Sequence, residues 1–242
     1  MSISIESFNL FYVFLSFILS VFGSYVALAF AIRIPSSDQK SLAFWLTTSA
    51  LALGAGGIWS MHFVGMVALN TPMEVSYNLW MTAASLVLAV ASCMLGLYIV
   101  GRSSGEVSKL VMAGCATGLG VAGMHYLGMA AMIMQATVTY NLDLVALSIV
   151  IAVVAATAAL WLAFNMRGTV QRLGSAIIMG IAVCGMHYTG MLAVNMAPME
   201  MTTSVDPSTT GLHAESLAVT IFTLSATLLF LLLTIKRFRV RD

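Results

Sequence analysis

Three of the chain's four histidines stand in one repeated phrase: SMHFVGM at residues 60–66, GMHYLGM at 123–129 and GMHYTGM at 185–191. Imidazole nitrogen is a ligand for copper, iron and zinc, and the thioether of methionine is a soft ligand that favours Cu(I). In each phrase one methionine directly precedes the histidine (Met61, Met124, Met186) and another follows it by four residues (Met66, Met129, Met191). On a helix, His62 and Met66, His125 and Met129, and His187 and Met191 share a face. The preceding methionines are turned by about 100° and can reach a site between helices. The pattern points to a metal centre that draws nitrogen ligands from the repeated histidines and sulfur ligands from among the methionines on either side of them. Zinc more often recruits cysteine or carboxylate, neither of which recurs in frame, so copper is the expected metal.

Each ligand has a plainer reading. A single intramembrane histidine commonly does no more than hydrogen-bond a neighbouring helix. The chain's 18 methionines include many that serve as adaptable apolar filling. It is the repetition of histidine in one frame that argues for ligation. Tyr126 and Tyr188 can hydrogen-bond near the site, yet Phe63 in the first copy shows that a hydroxyl is not needed everywhere. Cys184 lies one turn before His187, but Trp59 and Ala122 hold the matching places, so it reads as packing. Asn70, Asn195, Glu74 and Glu200 read as caps of helices and loops, and His213 as a solvated bystander.

The phrases recur at offsets of 63 and 62 residues, and the likeness extends around them. AGGIWS (55–60), GLGVAG (118–123) and GIAVCG (180–185) precede them, and VSYN (75–78) and VTYN (138–141) follow the first two. The repeating unit is too long for one helix and fits a helix pair.

The solvent for those helices is lipid. The chain is 60% hydrophobic and 8% charged over 242 residues, with a mean hydropathy of +1.00, whereas a soluble domain carries about 25% charged residues. Seven apolar runs are long enough to cross a bilayer, at 8–32, 42–69, 78–100, 110–134, 142–165, 173–196 and 214–235. The expected fold is an all-α integral membrane domain of seven helices: three two-helix repeats (helices 2–3, 4–5 and 6–7) plus helix 1. The first run is too long for a cleaved signal peptide.

With seven spans, all ten basic residues (Arg33, Lys40, Arg102, Lys109, Arg167, Arg172, Lys236, Arg237, Arg239, Arg241) fall on one side. The other side carries Glu6, Glu74, Asp143, Glu200, Asp206 and Glu215. Positive loops stay inside, so the N-terminus is expected outside and the C-terminus in the cytoplasm. No basic stripe or motif suggests nucleic acid. Cys93, Cys115 and Cys184 lie within spans, away from any oxidising loop.

The three motif helices run in one direction. At 1.5 Å rise per residue, His62 stands roughly 33 Å above Lys40, His125 roughly 24 Å above Lys109 and His187 roughly 22 Å above Arg172. The histidines therefore share a level in the outer half of a hydrocarbon core about 30 Å thick.

MHYT at 186–189, with MHYL at 124–127 and MHFV at 61–64, resembles the bacterial MHYT family of integral-membrane sensor domains over essentially the whole chain. The resemblance implies that His62, His125 and His187 hold copper with Met61, Met124 and Met186 as companions and Met66, Met129 and Met191 as secondary ligands, and that the site senses a diatomic gas such as O₂, CO or NO. It also implies a place in the bacterial inner membrane and cytoplasmic diguanylate cyclase or phosphodiesterase domains, C-terminal to this segment, as the output. The chain departs from the pattern at Phe63 and Val64 and stops at Asp242, so no catalytic domain is expected within it. Copper- or haem-binding transport or electron transfer is the alternative. A transporter would need further sites across the inner half, and none is evident. Retinal needs a lysine within a span, and Lys40, Lys109 and Lys236 stand at membrane ends. No interior span carries Asp or Glu for a hydrolase. The number of ions and association as a homodimer are left open by the sequence.

Overall fold

The computed structural model describes residues 3–103, 105–166, 168–198 and 211–239. Arg167, Glu200, Asp206 and Arg241 lie outside the described residues. Seven helices are long and apolar enough to span a membrane: α1 (Leu10–Ala31), α2 (Gln39–Val67), α3 (Leu79–Gly101), α4 (Val107–Ala130), α5 (Leu142–Asn165), α6 (Thr169–Leu192) and α7 (Ala214–Arg239). Helices α2, α4 and α6 begin three or four residues before the apolar runs, because polar first turns such as Gln39–Lys40–Ser41 are helical without being apolar. Asp38 caps α2 by accepting from the Ser41 N–H, and the Ser41 hydroxyl, then its N–H, hold the Asp38 carboxyl below the ordinary range. Helices α4 and α6 end four residues before the runs at 134 and 196. There the apolar residues pass into strands β2 (Met132–Ile133) and β4 (Val194–Pro198).

Six helices form a ring. Around it α2 packs on α3, α3 on α4, α4 on α5, α5 on α6, and α6 on α1, which returns to α2. The motif helices α2, α4 and α6 alternate with α1, α3 and α5. Helix α7 lies outside the ring against α1 and α2. That extra cover explains why α2 is the most buried of the seven spans while α5, packed mainly between α4 and α6, is the most exposed.

Helix α1 thus closes the ring, and its sequence shows why. FNLFYVFLS (8–16) matches YNLWMTAAS (77–85) at the start of α3 and YNLDLVALS (140–148) at the start of α5. Each asparagine is an N-cap: Asn9 accepts from the Phe11 N–H, Asn78 from Met81, and Asn141 from Asp143 and Leu144. Each also donates its own N–H to the carbonyl six residues beyond a motif histidine. The bonds are Asn9 to Ala68 at 2.7 Å, Asn78 to Ala131 at 2.8 Å and Asn141 to Ala193 at 2.8 Å. One turn-and-cap geometry is therefore used three times to lock an outer helix to a motif helix.

The loops at this end pair with one another. Strand β1 (Ser76–Tyr77) lies between β2 and β5 (Leu212–His213), and β3 (Ala136–Tyr140) pairs antiparallel with β4. Within α2, residues Leu51–Trp59 form nine residues of π-helix. Such turns are rare and recur near functional sites; here the stretch LALGAGGIW brings Gly57 onto Gly23 of α1, where a Cβ on Gly23 would collide with the α2 backbone.

Candidate metal centre

His62, His125 and His187 project from three different helices of the ring, one per repeat, and all three are fully buried. Their Nδ1 atoms form a nearly equilateral triangle, with 3.1 Å between His62 and His187 and 3.2 Å for each of the other two edges. The rings stand edge to face, with centroids 5.0–5.1 Å apart. Each is also propped edge-on by the aromatic residue that follows it: Phe63, Tyr126 or Tyr188.

Three nitrogens so arranged cannot satisfy one another. Each nitrogen of a neutral imidazole carries either an N–H or a lone pair. Three lone pairs repel; one inward N–H leaves two lone pairs opposed; two N–H groups contest a single lone pair. A cation among them satisfies all three. The centre of the triangle is about 1.8 Å from each nitrogen, slightly inside a metal–imidazole bond of about 2.0–2.1 Å. The donor set and its spacing fit one metal ion shared by three repeats.

With all three Nδ1 lone pairs given to a metal, the hydrogen of each ring would reside on Nε2. Each Nε2 is buried without a side-chain acceptor and faces the bare backbone of a glycine in the next repeat. A Cβ at Gly128 would strike His62, one at Gly190 would strike His125, and one at Gly65 would strike His187. These glycines each stand three residues beyond a motif histidine. Their periodic placement was visible in the sequence, but their partners lie in other repeats, so their role was missed.

The methionines divide into two layers. Met61, Met124 and Met186 are buried, and Met124 and Met186 belong to the large apolar core on the side away from the strands. Met66, Met129 and Met191 belong to a second apolar cluster with Phe63 and Tyr77 of β1, on the side of the strands. The histidines occupy the join. Buried charged side chains are absent among the described residues, where the buried polar groups are Ser, Thr and the three histidines.

Around this centre the repeats are braced by side-chain hydrogen bonds, in which Tyr126 and Tyr188 find the serine partners that the sequence does not single out. Tyr126 meets Ser148 of α5 at 2.7 Å, and Tyr188 meets Ser16 of α1 at 2.9 Å. In the first repeat, where Phe63 has no hydroxyl, the Trp59 indole N–H donates instead to Ser85 of α3 at 3.0 Å. Ser16, Ser85 and Ser148 each stand seven residues after a capping asparagine. At the end that carries the strands, burial raises the phenol of Tyr77 above its ordinary range, as do burial and then the proximity of Tyr126 for Tyr140. The three cysteines are free thiols, with Cys93 buried. Asn70 donates its N–H to the Ser7 carbonyl, and Asn195 pairs with Thr139 across β3 and β4.

The MHYT model, described as a bacterial signalling protein N-terminal repeat, matches residues 56–113, 118–176 and 180–241. The chain is 42% identical over 194 residues to the bifunctional diguanylate cyclase/cyclic di-GMP phosphodiesterase MucR of Pseudomonas aeruginosa, covering 78% of this chain and 28% of that protein. It is 36% identical over 203 residues to the cyclic di-GMP phosphodiesterase NbdA of the same organism, covering 79% and 26%. With the signaling protein YkoW of Bacillus subtilis it shares 33% identity over 195 residues, covering 76% and 24%. The aligned region spans about a quarter of each of these relatives. No solved structure matches it. Three repeat matches, seven spans and relatives of this kind make the chain a multi-pass membrane protein that belongs to the MHYT family of bacterial signalling proteins.

Proposed function

We propose that this chain is a membrane sensor segment in which His62, His125 and His187 hold one copper ion near the periplasmic face. The observation that carries the reading is the triangle of three buried Nδ1 atoms. The absence of buried carboxylates among the described residues favours a monovalent ion, because the cost of taking a charge out of water rises steeply with its magnitude. Cu(I) is the soft monovalent ion for imidazole and thioether donors, and Met61, Met124 and Met186, then Met66, Met129 and Met191, are the neighbouring sulfurs. Packing of the imidazoles at 5.0–5.1 Å leaves no gap for a porphyrin among them and weighs against haem.

When bound, copper supplies a redox couple and an affinity for a diatomic gas such as O₂, CO or NO. The chain's part is access and transmission. Beneath the histidines an apolar cavity of about 50 Å³, lined by Met186, Val121, Leu97 and Ala152 among others, has room for a diatomic molecule, since about 10–15 Å³ on the same scale suffices for a water. Because each histidine abuts a glycine of the next repeat, a tilt of one imidazole presses on the adjacent motif helix. Helix α2 carries the displacement to α7, which packs on it and leads to the basic end. The charge asymmetry supports an outside N-terminus, a cytoplasmic C-terminus and the inner membrane as location. By analogy with MucR and NbdA, the output is cyclic-di-GMP turnover by cytoplasmic domains of the same polypeptide.

Metal analysis tests the reading. Chain purified from copper-supplemented cells and washed of loose metal is expected to keep copper, up to one ion per chain. Retention of zinc or haem iron with no copper would overturn it.

A further inference from the structure

Above the histidines, at the outer end of the bundle, lies a chamber of about 460 Å³ whose wall is unusually rich in sulfur. Met66 at the end of α2, Met73 in the loop to β1, Met132 of β2 and Met134 just beyond it all line the chamber. Glu74, His213 and Glu215 stand in the same wall. The three-stranded sheet assembles it: Tyr77 of β1 pairs with Met132 on one side, and Ser76 with His213 on the other.

Methionine as packing fills gaps and is covered. Met73, Met132 and Met134 pack on one side against the second apolar cluster, yet each is only half-buried and also lines the chamber, while Glu74, His213 and Glu215 are exposed. Two carboxylates on a side that carries no lysine or arginine give this mouth a negative field, which concentrates cations. Thioether sulfur then selects soft ions over the hard and more abundant ones. Met66, 4% exposed, stands one turn outward from His62 and joins the chamber to the buried layer.

We propose that the chamber is a receiving site for a soft monovalent metal cation, Cu(I), held by Met73, Met132 and Met134 and passed inward past Met66 to the histidine triangle. The inward transfer rests on the copper reading above; the receiving site does not.

Ag(I), a closed-shell stand-in for Cu(I), provides the test on the full chain in lipid nanodiscs. Both the parent and a His62→Ala variant are expected to bind Ag(I) with sulfur neighbours in the X-ray absorption spectrum. Bound Ag(I) should slow peroxide oxidation of Met73, Met132 and Met134 about tenfold, since a coordinated sulfur is no longer free to oxidise. The M73L/M132L/M134L variant keeps side-chain volume; it should bind chamber Ag(I) about tenfold or more weakly, having lost its soft donors. It should also load the histidines more slowly from limiting Cu(I), yet reach the parent's final content. Equal Ag(I) affinity in the leucine variant, or oxidation of the three methionines unaffected by Ag(I), would make them packing residues and overturn the proposal. The oxidation measurement needs no variant, so misfolding of the leucine chain does not spoil it. A chain that holds Ag(I) in the chamber but no copper on its histidines would overturn the copper reading and the transfer, and leave the receiving site standing.

Discussion

The Nε2 of His62 rests against Gly128, three residues beyond His125 in the next repeat. His125 rests likewise on Gly190, and His187 on Gly65, which closes the cycle. Each repeat thus supplies one imidazole to the centre and one bare stretch of backbone for its neighbour's imidazole. No repeat builds its share of the site alone.

This cycle separates the two glycines within a single phrase. In GMHYTGM, a methyl group at Gly185 meets open space, whereas one at Gly190 collides with His125. Gly190→Ala is expected to cost about 1–3 kcal/mol through overpacking, to lower the melting temperature and to reduce bound copper. Gly185→Ala should be neutral or gain up to about 1 kcal/mol in helix propensity. Thermal unfolding in detergent, with metal content measured on the same samples, checks both. Equal behaviour of the two variants would show that the glycine contacts do not position the imidazoles.

The hydroxyl braces are separable from ligation. Tyr126→Phe removes the bond to Ser148 without disturbing the aromatic edge that props His125. Interhelical hydrogen bonds in membranes average about 0.6 kcal/mol, so a small loss of stability is expected with copper content unchanged. The first repeat already manages with Phe63, using Trp59 and Ser85 instead. A loss of copper in Tyr126→Phe at full stability would make the phenol a direct participant in the site.

Much of this arrangement was legible because one phrase recurs at a nearly constant offset, and three like helices running one way put their histidines at one level. The ring was harder to read. The turn that begins α1 repeats the starts of α3 and α5, but Asn9 precedes Asn78 by 69 residues, whereas Asn78 precedes Asn141 by 63. With Phe8 where the others carry tyrosine, that copy does not stand out, and α1 was read as a helix left over. In space it takes the place that strict threefold order would assign to α7. The partners of Gly65, Gly128 and Gly190 could not be found from periodicity, because periodicity says what recurs and not what it touches. The π-helical stretch of α2 had only its three glycines as a signal.

Topology is open to direct measurement. The strands link the α2–α3, α4–α5 and α6–α7 connections at one end of the bundle, the end that carries no described lysine or arginine. The positive-inside rule predicts that this end faces the periplasm. Cysteines introduced as Thr71→Cys and Thr137→Cys should react with a membrane-impermeant maleimide in intact spheroplasts. Ser208, a third expected periplasmic position, lies outside the described residues and can be labelled the same way. Reaction only after the cytoplasmic face is opened would reverse the orientation.

The triangle itself makes the sharpest demand. If one ion is shared, His62→Ala, His125→Ala and His187→Ala should each remove most of the copper, since two imidazoles leave an incomplete ligand set. The triple variant should then lose little more than any single one, the non-additivity expected of residues acting on a common centre. Three separate sites, each a local histidine with its methionines, would instead lose about a third of the metal per substitution and sum in the triple variant. His213→Ala serves as a control, because His213 lies in the outer chamber wall and not in the triangle; its final copper content on the histidines should match the parent's. Copper per chain that survives washing away of loosely held metal, measured in these five variants with folding checked by circular dichroism, decides between the two arrangements. Additive loss in steps of a third would rule out the shared centre, however close the three nitrogens stand.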